Sequence, residues 1–449
     1  MRRIAGLAAA IVVAAMFLPV SGALAATDAE TQALENRIKE LEQRLDAMDK
    51  KPEDETSLQQ RVEDLEKKLG DKLTAGYDGR FFVQTADGEY RMNFGGFTHM
   101  DGRFPFNGDS KSNDAFLFRR VRLGVDGYLT KQWEYKVELD VADKSTSKAY
   151  FTDAYLNWHY WDALQVKAGN YKVPFSLEEL TSDNSLRFIE RSPLNGMVPS
   201  RRTGVGIGGT PLPSGLINYN VGVFNGSQTG SFMTAGRVAL DLASVEGIGF
   251  LRNFTIGGNA AIDHDAGAAV ATKYETDMKT QFFKYATGVT SSGDTLLKGA
   301  DLSFWRGPFG FVAEYMASTA DLRKTGSADK TFTNDGYYLQ ASYVLTGEKA
   351  TAKGVTPARS FDPAKGQWGA VEIAGRYTSV AVDGDVFTNN YAARPANTDG
   401  ADVYTAGVNW YLNKNIRLML NYEHADFNSP LTSGSKGEDG AITRLQLVF

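Results

Sequence analysis

The chain contains no cysteine, so it can form neither a disulfide nor a thiolate metal site. It has 4 histidines, His99, His159, His264 and His424, spaced too widely to read as a ligand cluster; no metal and no cofactor are expected. Positive charge is not in excess either. Lys+Arg number 48 against 54 Asp+Glu, a formal net charge of -6. This balance excludes a nucleic-acid-binding surface over the whole molecule, though not a local basic patch inside a pore. Beyond residue 25 no run reaches the roughly 20 apolar residues of a membrane helix, which excludes a helical anchor. No Ser/His/Asp set with an orienting partner stands out in the spacing, so no catalytic residue and no enzyme activity are expected.

What is present begins with a leader. Met1-Arg2-Arg3 precedes an apolar run over 4–20 and the small-residue site Ala23-Leu24-Ala25, the layout of a secretory signal peptide occupying 1–25. At the other end the chain finishes AITRLQLVF. Thr443, Leu445, Leu447 and Phe449 share one face of an extended strand; Ile442, Arg444, Gln446 and Val448 share the other. An exported chain ending in an apolar strand points to a closed β-barrel in a Gram-negative outer membrane. The aromatics (Tyr 20, Phe 26) and Gly 46, beside a charged fraction of 23%, suit a barrel with aromatic girdles and a polar lumen. Lipid and the outer-membrane barrel assembly machinery are the implied partners.

Between leader and barrel, residues 26–72 read as a periplasmic coiled-coil segment. Leu34, Ile38, Leu41, Leu45 and Met48 follow a heptad seam, Pro52 interrupts it, and Leu58, Val62, Leu65 and Leu69 resume it in a shifted register. Each piece is short enough to be marginal alone, which favours association between subunits.

From 73 to 449 the period is two. A first hairpin is expected from 81–83 and 90–101 across Asp87-Gly88. Val121, Leu123, Val125 and Leu129 alternate with Arg120, Arg122, Asp126 and Tyr128; Tyr135, Val137, Leu139 and Val141 alternate with Glu134, Lys136, Glu138 and Asp140. Four successive charged positions are costly in a dry core and cheap against a water-filled lumen. At roughly 10 residues per strand the length suits an all-β, transmembrane antiparallel barrel of about sixteen strands. Residues 174–203 form an irregular piece too long for an ordinary hairpin loop, carrying Arg187, Glu190, Arg191, Arg201 and Arg202. Strands are expected to resume at 217, and 318–335, 351–363 and 389–399 read as long extracellular loops.

Several ordered motifs carry a resemblance. They are Phe118-Arg119-Arg120-Val121-Arg122 leading to Gly127, Asp153-Ala154-Tyr155-Leu156, Val166-Lys167-Ala168-Gly169 with Val173-Pro174-Phe175, Phe224-Asn225-Gly226, Ala313-Glu314-Tyr315, Trp368-Gly369-Ala370-Val371-Glu372, and the ending from Arg444 to Phe449. On these the barrel region resembles the phosphate-selective porins, the outer-membrane anion porins O and P. The resemblance implies a sixteen-stranded barrel, a homotrimer, and passive uptake of phosphate or other small anions at a constriction made by the third loop. It implies site roles for Arg119, Arg120, Lys167 and Asp140, with Arg122 as an added charge on the face of Arg120. Strict alternation turns only one of Arg119 and Arg120 inward and favours Arg120. Where the family has a further site arginine after a double glycine, this chain has Phe97 after Gly95 and Gly96. Two readings of the arginines stay open here: a specific constriction, or a wide aqueous wall in which they neutralise Glu134, Glu138 and Asp140.

Overall fold

The computed structural model describes residues 73–107, 115–142, 149–270, 272–394, 396–432 and 434–449, with scattered positions between 32 and 64. The chain divides into two units, Met1–Asp71 and Lys72–Phe449. In the first, the described positions, among them Arg37, Glu40 and Val62, are helical and exposed. The leader and the seam residues Leu34, Ile38, Leu41, Leu45, Met48, Leu58, Leu65 and Leu69 lie outside the described residues.

The second unit is built of strands: β1 (Leu73–Tyr77), β2 (Phe81–Thr85), β3 (Tyr90–Asn107), β4 (Ala115–Leu129), β5 (Trp133–Asp140), β6 (Tyr150–Trp161), β7 (Leu164–Lys172), β8 (Arg201–Gly209), β9 (Ile217–Asn225), β10 (Phe232–Asp241), β11 (Phe254–His264), β12 (Lys273–Glu275), β13 (Gln281–Lys284), β14 (Val289–Arg306), β15 (Phe309–Lys324), β16 (Lys330–Val344), β17 (Ala370–Ala381), β18 (Gly400–Tyr411), β19 (Ile416–Phe427) and β20 (Gly437–Val448). Neighbours pair antiparallel, and β20 pairs back to β3 from Val448↔Phe97 to Asp439↔Asn107, closing a ring of 16 strands. Closure leaves no strand edge facing lipid.

The C-terminal strand behaves as its alternation predicts. Leu445, Leu447 and Phe449 are exposed on the outer face, whereas Ile442, Arg444 and Gln446 are buried in the lumen. Phe449 exchanges backbone hydrogen bonds with Gly96, at 3.0 Å and 2.9 Å. The first expected hairpin forms, with one difference. β2 pairs with β3 only from Phe81↔Phe94 to Gln84↔Arg91, below the point where β20 ends, so it extends the sheet without entering the ring.

β8 has no counterpart among the strands read from the sequence, because its run RRTGVGIGG carries glycine where side chains should alternate. Val205 and Ile207 face outward. A Cβ at Gly204 would stand 2.4 Å from Val223 O and 2.5 Å from the Phe224 ring, and one at Gly206 would stand 2.8 Å from Tyr171 Oη. The glycines therefore let lumen side chains lie flat against this wall.

At the end carrying the C-terminus the connections 130–132, 162–163 and 307–308 are short; at the other end 173–200, 265–288 and 382–399 are long. Two loop expectations change. Most of 318–335 is strand, leaving 325–329 as the turn, and 351–363 belongs to a connection, 345–369, at the C-terminal end of the barrel.

The long connections fold inward. One core joins Val173, Phe175 and Leu194 of 173–200 with Tyr274, Phe282 and Phe283 of 265–288, Val386 and Tyr391 of 382–399, and wall residues such as Phe332 and Tyr338. Apolar packing of connections thus fills the sector lined by β14–β19, and polar cavities lie along β3–β9.

Candidate functional site

Segment 173–200 crosses the lumen because its charges find partners around the ring. Glu314 of β15 accepts from the backbone N–H of Leu177 and Glu178, at 2.8 Å and 3.1 Å. Arg187 reaches Glu372 of β17 at 3.3 Å, Arg417 of β19 donates to Leu186 O at 2.9 Å, and Asn184 meets His99 of β3 at 3.1 Å. Against β4 the segment presents two carboxylates, Asp183 and Glu190.

Both adjacent arginines turn inward onto them, which corrects the expectation from strict alternation. The ladder slips between His99↔Arg120 and Met100↔Phe118, so Arg119 occupies a β-bulge. Phe118 stays outside, and the extra residue lets Arg119 and Arg120 face the lumen in succession. Arg119 grips Glu190 with two bonds, 2.6 Å and 3.1 Å, and Arg103 of β3 adds a third at 2.6 Å. Arg122 donates to Asp140 at 2.9 Å and to Asp183 at 2.7 Å, and Arg191 donates to Asp183 at 2.7 Å. Arg120 is different. Its Nε stands 3.5 Å from Asp183, and its buried Nη1 has no hydrogen-bond partner among the described residues. Both carboxylates lie on the connecting segment rather than on a strand. Burial acts to raise their pKa, but the surrounding arginines outweigh it and hold both well below the usual range.

Of the five residues named from sequence, Arg120, Arg122 and Asp140 meet around Asp183, and Arg119 stands beside them on Glu190. Lys167 does not join them. It lines a separate cavity along β6–β9, with its ammonium 4.7 Å from the Tyr155 ring centre and 5.6 Å from that of Tyr171. Between the two, the wall runs as an ion-pair ladder. Arg122–Glu138 (3.6 Å) leads to Glu138–Lys136 (3.2 Å), Lys136–Asp153 (2.6 Å) and Asp153–Arg201 (2.7 Å). Along this wall Arg122, Lys136 and Arg201 thus neutralise Glu138 and Asp153.

Cavities lie on both sides of the crossing segment. One of about 330 Å³ faces the 265–288 connection and is lined by Arg119, Arg120, Glu190, Arg191, Lys273 and Lys279. Another of about 500 Å³ faces the C-terminal end and is lined by Phe97, Lys136, Glu138, Tyr155, Asn184 and Phe449. Phe97 is buried and inward, its ring 4.8 Å from that of His99 and 5.3 Å below the Arg122 guanidinium. Sequence reasoning missed Asp183 and His99. Asp183 sits in an irregular segment with no period to aim it, and His99 stands in the sequence only as one of four widely spaced histidines; the charge density of 174–203 is the available signal for the former.

The sequence matches the family described as phosphate-selective porin O and P over residues 86–449. Porin O of Pseudomonas aeruginosa is 26% identical over 420 residues, covering 83% of this chain and 91% of that protein. An uncharacterized protein of Aquifex aeolicus is 24% identical over 293 residues, 58% of this chain and 67% of that one. Among solved structures, the outer membrane channel DcaP of Acinetobacter baumannii aligns with a TM-score of 0.54 at 12% identity, covering 84% of this chain and 100% of that chain. The anion-selective porin from Comamonas acidovorans aligns at 0.52 and 13%, covering 80% and 100%. At such identities these two likenesses speak for the barrel fold alone.

Proposed function

We infer, from the premise that the chain belongs to the phosphate-selective porin O and P family, that it is an outer-membrane channel passing small anions by diffusion, with phosphate handled at Arg120. The observation carrying this reading is the buried Nη1 of Arg120, a donor without a partner among the described residues, beside a cationic cavity. An arginine fork suits tetrahedral oxygens because it donates several hydrogen bonds in a fixed plane. Arg119 and Arg122, each held by a carboxylate, set the field around it; Asp140 fixes Arg122 and accepts from the backbone N–H of Val121 and Ala142, at 3.3 Å and 3.1 Å. Lys167 serves anions after they pass the crossing segment. The working assembly is a homotrimer inserted by the barrel assembly machinery, with 26–72 helical in the periplasm after cleavage near Ala25.

Single-channel recording across a potassium chloride gradient tests the reading. The wild type is expected to reverse on the chloride-selective side, and Arg120→Ala to lower the anion-over-cation permeability ratio several-fold. Lys414→Ala is the control. Its ammonium lies over Tyr77 at 4.6 Å, in the turn after β18, and its loss is expected to change the ratio little. A wild type favouring potassium would refute anion selectivity.

One observation favours a second reading, a general anion porin without phosphate preference: Phe97 presents a buried ring where the resemblance implies an arginine. Restoring the donor discriminates between them. Phe97→Arg is expected to lower the phosphate concentration that half-blocks chloride current by about tenfold, since a charge-assisted hydrogen bond contributes ~1.5–3 kcal/mol. Unaltered block in that variant would separate Phe97 from phosphate handling.

A further inference from the structure

We propose that the cavity beneath Lys167 is a second binding site, for small aromatic monocarboxylates, distinct from the Arg120 constriction. It has a volume of about 320 Å³ and is walled by Tyr155, Tyr171, Phe224 and Pro174, with Lys167 and Lys172 as its cations.

The charge state of its lining selects the ligand. Along this wall Lys136 and Arg201 are both bound to Asp153, at 2.6 Å and 2.7 Å, so Asp153 is already neutralised. Lys172 donates to the carbonyls of Glu179 and Thr181, the latter at 2.9 Å. Lys167 has neither a carboxylate nor a carbonyl partner for its ammonium among the described residues; it stands over two phenol rings instead. A cation without a direct ion pair, on which Glu134 and Asp153 act only at longer range, can take an anion without breaking one. One free ammonium suits one carboxylate. A phosphate dianion takes several convergent donors, and of this cavity's lining Lys172, Asn157 and Asn220 already donate within the protein.

The body of the ligand follows from the rings. Tyr155 and Tyr171 meet edge to face at 6.1 Å, and Tyr171 and Phe224 do so at 5.2 Å. Such a cluster accepts a further ring by edge or offset contact. The missing side chain at Gly206 lets Tyr171 lie against the wall rather than fill the space. Tyr155 also borders the cavity of Phe97, so the site is reached from the same lumen. Occupation in the cell rests on the anion-pore reading; the site itself does not.

Isothermal titration of benzoate into the purified full-length protein in detergent is the test, with acetate for comparison and circular dichroism to verify folding. Saturable benzoate binding is expected, at least tenfold tighter than acetate. Lys167→Met is expected to weaken benzoate at least tenfold and Lys167→Arg to retain it, while Arg120→Ala leaves it within twofold. Tyr171→Leu is expected to weaken benzoate about fivefold and leave acetate unchanged. Absence of saturable benzoate binding, equal affinities for the two acids, or unchanged benzoate affinity in either Lys167→Met or Tyr171→Leu overturns the proposal. Chloride conductance judges the pore reading separately: benzoate binding through Lys167 in a protein that carries no chloride current would defeat that reading and leave this site standing.

Discussion

Replacing Asp183 by asparagine is expected to tighten phosphate block of the chloride current by at least tenfold and to raise anion selectivity. Asp183 is the carboxylate that Arg122 and Arg191 each hold at 2.7 Å and that Arg120 approaches at 3.5 Å. The amide keeps the shape of the side chain and one acceptor oxygen, but it removes a negative charge from among three guanidinium groups. At an effective dielectric constant near 20, one unit charge at about 4 Å corresponds to roughly 4 kcal/mol before screening. A third of that, about 1.4 kcal/mol, already amounts to tenfold in affinity. The measurement is the half-blocking phosphate concentration in single-channel recordings, read together with unblocked conductance. Tighter block at unchanged conductance supports Arg120 and its neighbours as the anion site. Weaker block with larger conductance would mean that Asp183 chiefly anchors the crossing segment, and the constriction assignment would fall.

Asp101→Ala is expected to destabilise the closed barrel by about 3–5 kcal/mol, the usual cost of leaving one member of a buried ion pair alone. Asp101 and Arg444 face each other across the strands that close the ring, bonded at 2.6 Å and 2.8 Å with both side chains 0% exposed. Arg444 already carries one buried Nη1 without a partner among the described residues, so losing the carboxylate strands the whole guanidinium. The double variant Asp101→Leu with Arg444→Met is expected to recover most of the loss, because removing both charges also removes their desolvation penalty. Urea unfolding followed by the mobility of folded and unfolded species on gels reads both. Were the single variant to unfold at the wild-type urea concentration, the seam would depend on its backbone ladder alone.

The molecule divides along the line between local and non-local information. Alternation is local: a pleat turns successive residues to opposite faces, so Leu445 and Leu447 outside and Arg444 and Gln446 inside could be read from nine residues. The inward charges of β5 were legible for the same reason. β8 was not, because glycine carries no side chain from which to read a face. Arg119 defeated the period because a bulge is a property of the pair β3–β4, where His99 and Met100 oppose Arg120 and Phe118.

By itself, then, the sequence determined a membrane barrel, its closing strand, its polar lumen, and Arg120, Arg122 and Asp140 as inward charges. Only the tertiary structure decided which of those charges are neutralised. Asp183 meets Arg122 from 61 residues away, and Asp101 meets Arg444 from 343. It also set Lys167 apart from the arginines, on tyrosine rings of two adjacent strands. The physical reason is that inward or outward direction follows from the backbone of one strand, whereas the partner of a lumen charge depends on where a connecting segment crosses the pore.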